Sequence, residues 1–582
     1  MPRHLRLAAL VALSACATRA PAPPPPSIDP GPVLPAAGIN PAWPLTGNAR
    51  VTEAPRAMVV SGSPIASAVG RDILRRGGNA VDAATAVGFA LAVVHPEAGN
   101  IGGGGFSVIR LADGSVHALD YREAAPGRAS RDMYLDLSGN VTAQSVTGHL
   151  AVGVPGAVAG LAEQHRRFGR LPWREVIEPA IRLAADGFVV DEYRMRSIDS
   201  DRFRLSLFPA SRRQFLPGGR PPAAGSTFRQ PDLAGTLEAI RDQGAAGFYR
   251  GRVADLIVAE MERGGGLISL ADLAAYQAKW REPVEIRYRG HTVYSMSPAS
   301  SGGVTLALIL NQMDGFGRLP PFGSAALLHL EAEAMRRAYT DRNHFLGDPD
   351  QVAMPVRRLT SKAYADSLRA SIDRGRASPS LDLRPGLGGG MHTTHYSVVD
   401  AEGTAVSTTT TLNNSYGSAV TVAGAGFLLN DEMDDFASAP GRPNMYGLVQ
   451  GEANAIAPAK RMLSAMTPTI VLDPQGRLLL VVGTPGGPTI ITQVYHVISN
   501  ILDHGMSLAD AVAAPRMHHQ GLPDEIRLER GGFLPEVIAE LEAKGHRIQS
   551  GGRWGDVEAI IRTPQGWQGV SDPRLGGGGA GY

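Results

Sequence analysis

Four stretches of this chain share one form, a β-rich run, a short glycine-containing turn and a second β-rich run. They are FSVIRLADGSVHALDY, HYSVVDAEGTAVSTTTT, PTIVLDPQGRLLLVVG and EAIIRTPQGWQGV. Each predicts an antiparallel hairpin, and so many hairpins imply extensive antiparallel sheet. The segment PIASAVGRDILRRGGNAVDAATAVGFALAVVHPEAGNIGGGGF predicts two helices split at Gly77-Gly78, with Asn79 as the N-cap of the second and Pro96 near its end. That second helix is apolar on most sides, which predicts deep burial. From Gly156 to Ile372 the chain is helix-rich: GAVAGLAEQHRRF, PWREVIEPAIRLAADG and TLALILNQM carry helical spacing, interrupted by the strand-like VEIRYRGHTVYSM. A single sheet leaves too much of this apolar helix surface unburied. The expected fold class is therefore α+β, two stacked, mainly antiparallel sheets with helices outside.

At 582 residues, core size is not limiting. The 56 Lys and Arg residues nearly cancel 55 Asp and Glu, so no overall field draws in nucleic acid or an acidic membrane, and partners must be argued from sites. The single cysteine cannot form an intrachain disulfide, and it lies at the N-terminus. There, MPRHLRLAALVALSAC has two early arginines, a short apolar run and Leu13-Ser14-Ala15-Cys16. This is the layout of a signal peptide over residues 1–15, with an apolar run too short to span a bilayer. Its last four residues resemble the lipobox of bacterial lipoproteins, which predicts diacylation of Cys16 and membrane contact through that lipid alone. The expected location is the periplasmic side of a bacterial membrane. Residues 16–45 are proline-rich and predict an extended spacer.

Several catalytic devices are absent from the sequence: no G-x-S-x-G elbow, no H-E-x-x-H, no G-x-x-x-x-G-K-[ST], and no cysteine in the folded part. Gly102 to Gly105 lead into a strand with no Lys-Ser/Thr after them and read as a tight turn rather than a phosphate cradle. His518-His519 are adjacent, point in different directions and have no second ligand pair, so no metal is expected. No cofactor is expected either. What remains is Thr393, where the glycine tether of GGGMHTTHYSVVD meets the start of a predicted strand. A mid-chain threonine hydroxyl is a weak nucleophile. Cutting the His392-Thr393 bond frees an α-amino group that titrates near ~8 within reach of the same residue's hydroxyl, creating nucleophile and base together. A flexible tether lets the hydroxyl reach the preceding carbonyl.

At these residues the sequence resembles the γ-glutamyltransferases (γ-glutamyltranspeptidases) of the N-terminal-nucleophile hydrolase superfamily. The likeness runs through TTHYSVVD, TLNNSYG, LLNDEMDDF, PNMYGLV, MTPTIV, TPGG, APRMHHQ, SDPR and AGY. Upstream it includes GGNAVDAA, GNIGGGGF, LDYREAAP and LGDPD, so it spans nearly everything after residue 50 in order. The resemblance implies a four-layer αββα sandwich and a precursor that cleaves itself before Thr393. The large chain then ends at His392, with its folded part over 46–392, and the small catalytic chain covers 393–582. It also implies cleavage of γ-glutamyl amides such as glutathione through a Thr393 acyl-enzyme, resolved by water or by an amino acid or dipeptide acceptor.

By the same resemblance Thr411 orients Thr393, and the backbone of Gly486 and Gly487 in TPGG forms the oxyanion hole. Arg122 pairs with the substrate carboxylate, Asp435 takes its ammonium, Asn413 and Glu432 support them, and Tyr446 belongs to the lid loop that covers the pocket. One departure stands out. Where the family has two serines before the M-[ST]-P-T segment, this chain has Ser464-Ala465, losing one hydroxyl near the substrate carboxylate. Two alternatives are a related acylase acting on glutaryl or cephalosporin amides, and a catalytically silent surface lipoprotein that binds peptides.

Overall fold

The computed structural model describes residues 37–380 and 393–582. Cys16 and His392, and with them the lipidation and scission expectations, lie outside the described residues. Two seven-stranded sheets form the centre. One runs in the order Gly578–Gly581, Met58–Ser61, Thr393–Val399, Ala405–Thr411, Gly104–Arg110, Val116–Tyr121, Lys279–Arg281. The other runs Arg50–Ala54, Gly566–Ser571, Glu558–Thr563, Leu478–Gly483, Thr469–Leu472, His291–Ser295, Val284–Tyr288. Every pairing in both is antiparallel.

All four predicted hairpins are present, two in each sheet. Helices Pro64–Arg75 and Ala80–Val94 flank Gly77-Gly78, and Asn79 caps the second as expected. Its Oδ1 accepts from the N–H groups of Val81 and Asp82 at 3.0 Å, and the Asp82 carboxylate accepts the Asn79 N–H at 2.9 Å. This reciprocal cap satisfies donors that every helix start leaves open.

Three apolar cores account for the layers. Tyr396, Val398 and Val406 project from the first sheet onto Ala80–Val94 and its neighbouring helices. Val293, Val471, Leu480 and Val482 project from the second onto Gly302–Asp314, Ala325–Phe345 and Thr489–Leu502. Between the sheets lie Met58, Val60, Phe106, Val108, Val399, Ala405, Ile470, Val481 and Ile560. Because strand side chains alternate, Thr393, His395, Ser397 and Val399 share the face turned to the other sheet, as do Ala405, Ser407, Thr409 and Thr411. Ser397 Oγ donates to the Glu558 carbonyl at 2.9 Å and Ser407 Oγ to the Val482 carbonyl at 3.2 Å, which ties this face across the seam. A slip of one residue would turn Thr393 toward the helices.

Of the segment expected as a spacer over 16–45, only 37–45 is described, and that end packs on the folded body. Ile39 bridges to Phe533, the Asn40 N–H bonds the Gly532 carbonyl at 3.0 Å, and Trp43 is buried with its indole N–H on the Ala513 carbonyl at 2.8 Å. Proline content predicts an extended chain but says nothing about whether an aromatic at its end finds a socket.

Candidate active site

Thr393 opens its strand and Thr411 closes the partner strand, and the antiparallel register sets them directly opposite. Their hydroxyl oxygens are 3.2 Å apart. Thr411 Oγ1 also accepts the Asn413 N–H at 2.8 Å. Asn413 takes a positive φ of 78°, an uncommon backbone for a non-glycine residue, and its amide donates to the Asp431 carbonyl at 3.0 Å. Tyr446 closes over this corner: its hydroxyl donates to the Asn413 carbonyl at 3.1 Å and contacts Asn413 Oδ1.

Facing Thr393 from the other sheet is the loop after Leu478–Gly483. Gly486 and Gly487 have φ of 143° and 53°, values that side chains disfavour. A Cβ on Gly486 would meet Gln493 Nε2 and Thr489 Oγ1 at 2.5 Å, and one on Gly487 would press the Tyr446 ring at 3.1 Å. The loop is held from below. Thr489 Oγ1 donates to the Gly486 carbonyl at 2.8 Å, Gln493 Nε2 to the Pro485 carbonyl at 3.1 Å, and the Tyr339 hydroxyl to the Pro488 carbonyl. Among the described residues the N–H groups of Gly486 and Gly487 have no acceptor, and Gly487 lines the same pocket as Thr393.

Charge enters from the other side. Arg122 is fully buried; its Nη1 pairs with Glu432, its Nη2 with Asp435, and its Nε donates to the Met462 carbonyl at 3.2 Å. Burial works against the Arg122 charge, but the carboxylates of Glu432, Asp435 and Glu123 outweigh it and hold the pKa above the ordinary arginine range. Burial pushes Glu432 well above the usual carboxylate range and raises Asp435, both against the pull of Arg122; it takes Glu123 up to about 7. Several buried carboxyls thus share one guanidinium, and the cluster holds protons that an exposed group would have lost.

Ser464 lies in the same pocket. Its N–H bonds the Ala299 carbonyl at 2.9 Å and its Oγ accepts the Met466 N–H at 3.1 Å, and among the described residues the hydroxyl proton has no acceptor. Ala465 lines the pocket beside it and adds no donor.

One pocket is lined by Arg122, Thr393, Thr411, Asn413, Glu432, Asp435, Tyr446, Ser464 and Gly487, with Gly486 next in the chain. Every expected site residue in the described chain except Gly486 lines it. Sequence reasoning missed Arg342, which lines the pocket, and the Gln493 and Tyr339 supports of the glycine loop. Arg342 sits four residues before the LGDPD motif, a proximity that could have drawn attention to it. His518 is committed to the protein, with Nδ1 on Thr492 Oγ1 at 3.0 Å and Nε2 on Gln520 Oε1 at 2.9 Å.

The family model described as Gamma-glutamyltranspeptidase matches residues 66–582. The chain is 47% identical over 530 residues to the glutathione hydrolase proenzyme of Escherichia coli (strain K12), covering 90% of this chain and 91% of that protein. It is 40% identical over 524 residues to the acylase ACY 1 proenzyme of Pseudomonas sp. (strain SE83), covering 88% and 90%. Among solved structures, a cephalosporin acylase from Bacillus halodurans superposes with a TM-score of 0.80 at 27% identity, covering 91% of this chain and 97% of that one. A threonine at a strand start, a glycine loop lining the same pocket and buried charge of both signs agree with these likenesses: the chain belongs to the gamma-glutamyltranspeptidase family.

Proposed function

We propose that this protein is a self-processing γ-glutamyltransferase with glutathione hydrolase activity. The observation that carries the reading is the Thr393 hydroxyl, 3.2 Å from Thr411, in a pocket that also holds buried charges of both signs. Scission between His392 and Thr393 leaves chains of residues 16–392 and 393–582 and frees the Thr393 amine. That amine takes the hydroxyl proton as Oγ1 attacks the γ-carbonyl of the donor. The developing oxyanion meets the N–H groups of Gly486 and Gly487, where loss of one donor typically lowers the rate ~10²–10³-fold. The amide C–N bond breaks, the leaving amine receives the proton, and an ester on Thr393 remains. Water resolves it to glutamate, or an amino acid or dipeptide amine resolves it to a new γ-glutamyl amide.

A glutamyl head carries one carboxylate and one ammonium. In this reading Arg122 and Ser464 serve the carboxylate and Asp435 the ammonium, with Asn413 and Glu432 supporting and Tyr446 covering. The test joins N-terminal sequencing of the smaller fragment to a γ-glutamyl-p-nitroanilide assay with and without glycylglycine. The reading expects a fragment beginning at Thr393 and p-nitroaniline release; an intact chain in active enzyme would overturn it.

The likeness to acylases favours a second reading, amide cleavage with a glutaryl acyl group. It keeps the carboxylate and omits the ammonium, so Asp435 separates the two. Asp435→Ala should raise KM sharply for γ-glutamyl anilides and spare glutaryl ones. A wild type that prefers the glutaryl anilide favours the acylase.

The sequence up to Cys16 supports export and a lipid anchor on the periplasmic side of a bacterial membrane. Among the described residues no helix is long and apolar enough to cross a membrane. Radiolabelled palmitate should enter the wild type and not Cys16→Ser.

A further inference from the structure

Arg122 has little capacity left for a ligand. A guanidinium offers five N–H donors. Here Nε is committed to the Met462 carbonyl, Nη1 to Glu432 with Glu123 at 3.5 Å, and Nη2 to Asp435. A parallel, two-point grip on a further carboxylate would require releasing Glu432 or Asp435.

Arg342 presents the opposite case. It rises from Ala325–Phe345, is 1% exposed and lines the same pocket. Its Nε donates to Ser301 Oγ at 3.0 Å and its Nη1 to Asn343 Oδ1 at 2.8 Å, while its Nη2 makes no hydrogen bond among the described residues. No carboxylate there pairs with it. Ser301 Oγ in turn donates to the Ser464 carbonyl at 2.6 Å, which ties this guanidinium to the Ser464-Ala465 corner. Burial pulls its pKa down to about 10 against the attraction of Tyr339 and Asp435, with a smaller repulsion from Arg122, so it stays charged at neutral pH. A buried, unpaired cation beside a second cation is unfavourable until an anion settles between them.

We propose that Arg342 is a substrate-binding residue that shares the α-carboxylate of the γ-glutamyl donor with Arg122, supplying the free Nη2 edge that Arg122 lacks. This rests on the γ-glutamyl reading above. It also accounts for how the pocket manages with alanine at 465: the carboxylate gains a charged donor close to where a serine hydroxyl is missing.

The experiment compares Arg342→Gln and Arg342→Lys with wild type on γ-glutamyl-p-nitroanilide and on 4-aminobutyryl-p-nitroanilide, which keeps the amine and lacks the carboxylate. Slow anilides are measured as competitive inhibitors. Arg342→Gln should raise KM for the γ-glutamyl donor roughly 10- to 100-fold, the range for a lost charged hydrogen bond. The 4-aminobutyryl compound should barely respond, and Arg342→Lys should recover part of the loss. Should the Gln variant fail to process itself, the Lys variant carries the same comparison. Processed variants that lose both donors equally, or neither, overturn the proposal alone. A wild type idle on γ-glutamyl-p-nitroanilide overturns the γ-glutamyl reading and this proposal with it.

Discussion

Replacing Thr411 with valine exchanges a hydroxyl for a methyl of similar size and removes, among the described residues, two hydrogen bonds that bear on the site. The first is the 3.2 Å contact to Thr393 Oγ1 and the second the 2.8 Å bond from the Asn413 N–H. Thr411 and Asn413 are 2% and 3% exposed, so water cannot easily replace the acceptor. Leaving a buried N–H unpaired costs about 1–3 kcal/mol. That cost falls on a residue held at positive φ, whose carbonyl receives the Tyr446 hydroxyl. The stability loss should leave the two-chain enzyme folded; the larger effect should be on the nucleophile, now free to turn away from the carbonyl. Misorientation of this kind lowers turnover by ~10²-fold. The assay is kcat and KM for γ-glutamyl-p-nitroanilide with saturating glycylglycine, on processed enzyme titrated for active sites. Thr411→Val should lose kcat while KM changes little, and Thr411→Ser should stay within about threefold of wild type, a difference of well under 1 kcal/mol. A Val variant with near-normal kcat, or a Ser variant as impaired as Val, would refute the orienting role.

Two further outcomes follow from particular side chains. Ala465→Ser should lower KM for γ-glutamyl donors about fivefold, the effect of one added hydrogen bond of roughly 1 kcal/mol, with kcat unchanged; an unchanged KM means that residue 465 does not face the carboxylate. Glu97 is buried, with Tyr193 and Ser197 hydroxyls donating to it, and burial lifts its pKa from 4.5 to about 7. The native state therefore keeps a proton that the unfolded chain releases, so this group's contribution is present below about 4.5, declines as pH rises toward about 7, and is gone above it. Against Glu97→Gln, the wild type should lose about 3 kcal/mol of relative stability between those limits, measured by urea unfolding at pH 4.5 and pH 8. Parallel pH profiles would rule this out.

What could be read in the sequence was local. The hairpins carry their turn chemistry and alternation within about twenty residues, and the Asn79 cap needs only Asp82 three positions on. What could not be read depends on approach in space. The strands Arg50–Ala54, Met58–Ser61 and Gly578–Gly581 have no periodicity that marks them: the first and last close sheet edges, and Met58–Ser61 fills the place between Gly578–Gly581 and Thr393–Val399. Trp43 follows a proline tract and looked like tether until its indole met the Ala513 carbonyl. At the site, the proposed nucleophile was legible because a glycine tether ahead of a strand is unusual chemistry in one dimension. The committed state of Arg122 was not, since Glu432 and Asp435 lie some three hundred residues away. Arg342 reads as one more helix arginine until it is seen to have no carboxylate salt-bridge partner among the described residues.

The two sheets divide the chemistry between them. Thr393 and Thr411 end a pair of strands in one, while the free amides of Gly486 and Gly487 follow a strand of the other and lead into the helix Thr489–Leu502. In the proposed mechanism attack and charge stabilisation therefore meet across the seam, where strand alternation turns both threonines. The positive end of the Thr489–Leu502 dipole lies close behind the glycines and adds to the attraction for a developing oxyanion. Neither sheet alone builds the site, so the distance between Thr393 and the glycine loop is set by inter-sheet packing. His395, on the same face as Thr393, packs against Gly483, where an added Cβ would come within 2.3 Å of its ring. Its Nδ1 bonds Thr409 at 2.8 Å, and burial pulls its pKa down to about 3, which keeps it neutral. A neutral, close-packed ring can act as a fixed spacer that adds no charge beside the amine serving as base. On this account substitutions at Gly483 or His395 should lower kcat without touching substrate, because they move one half of the site against the other.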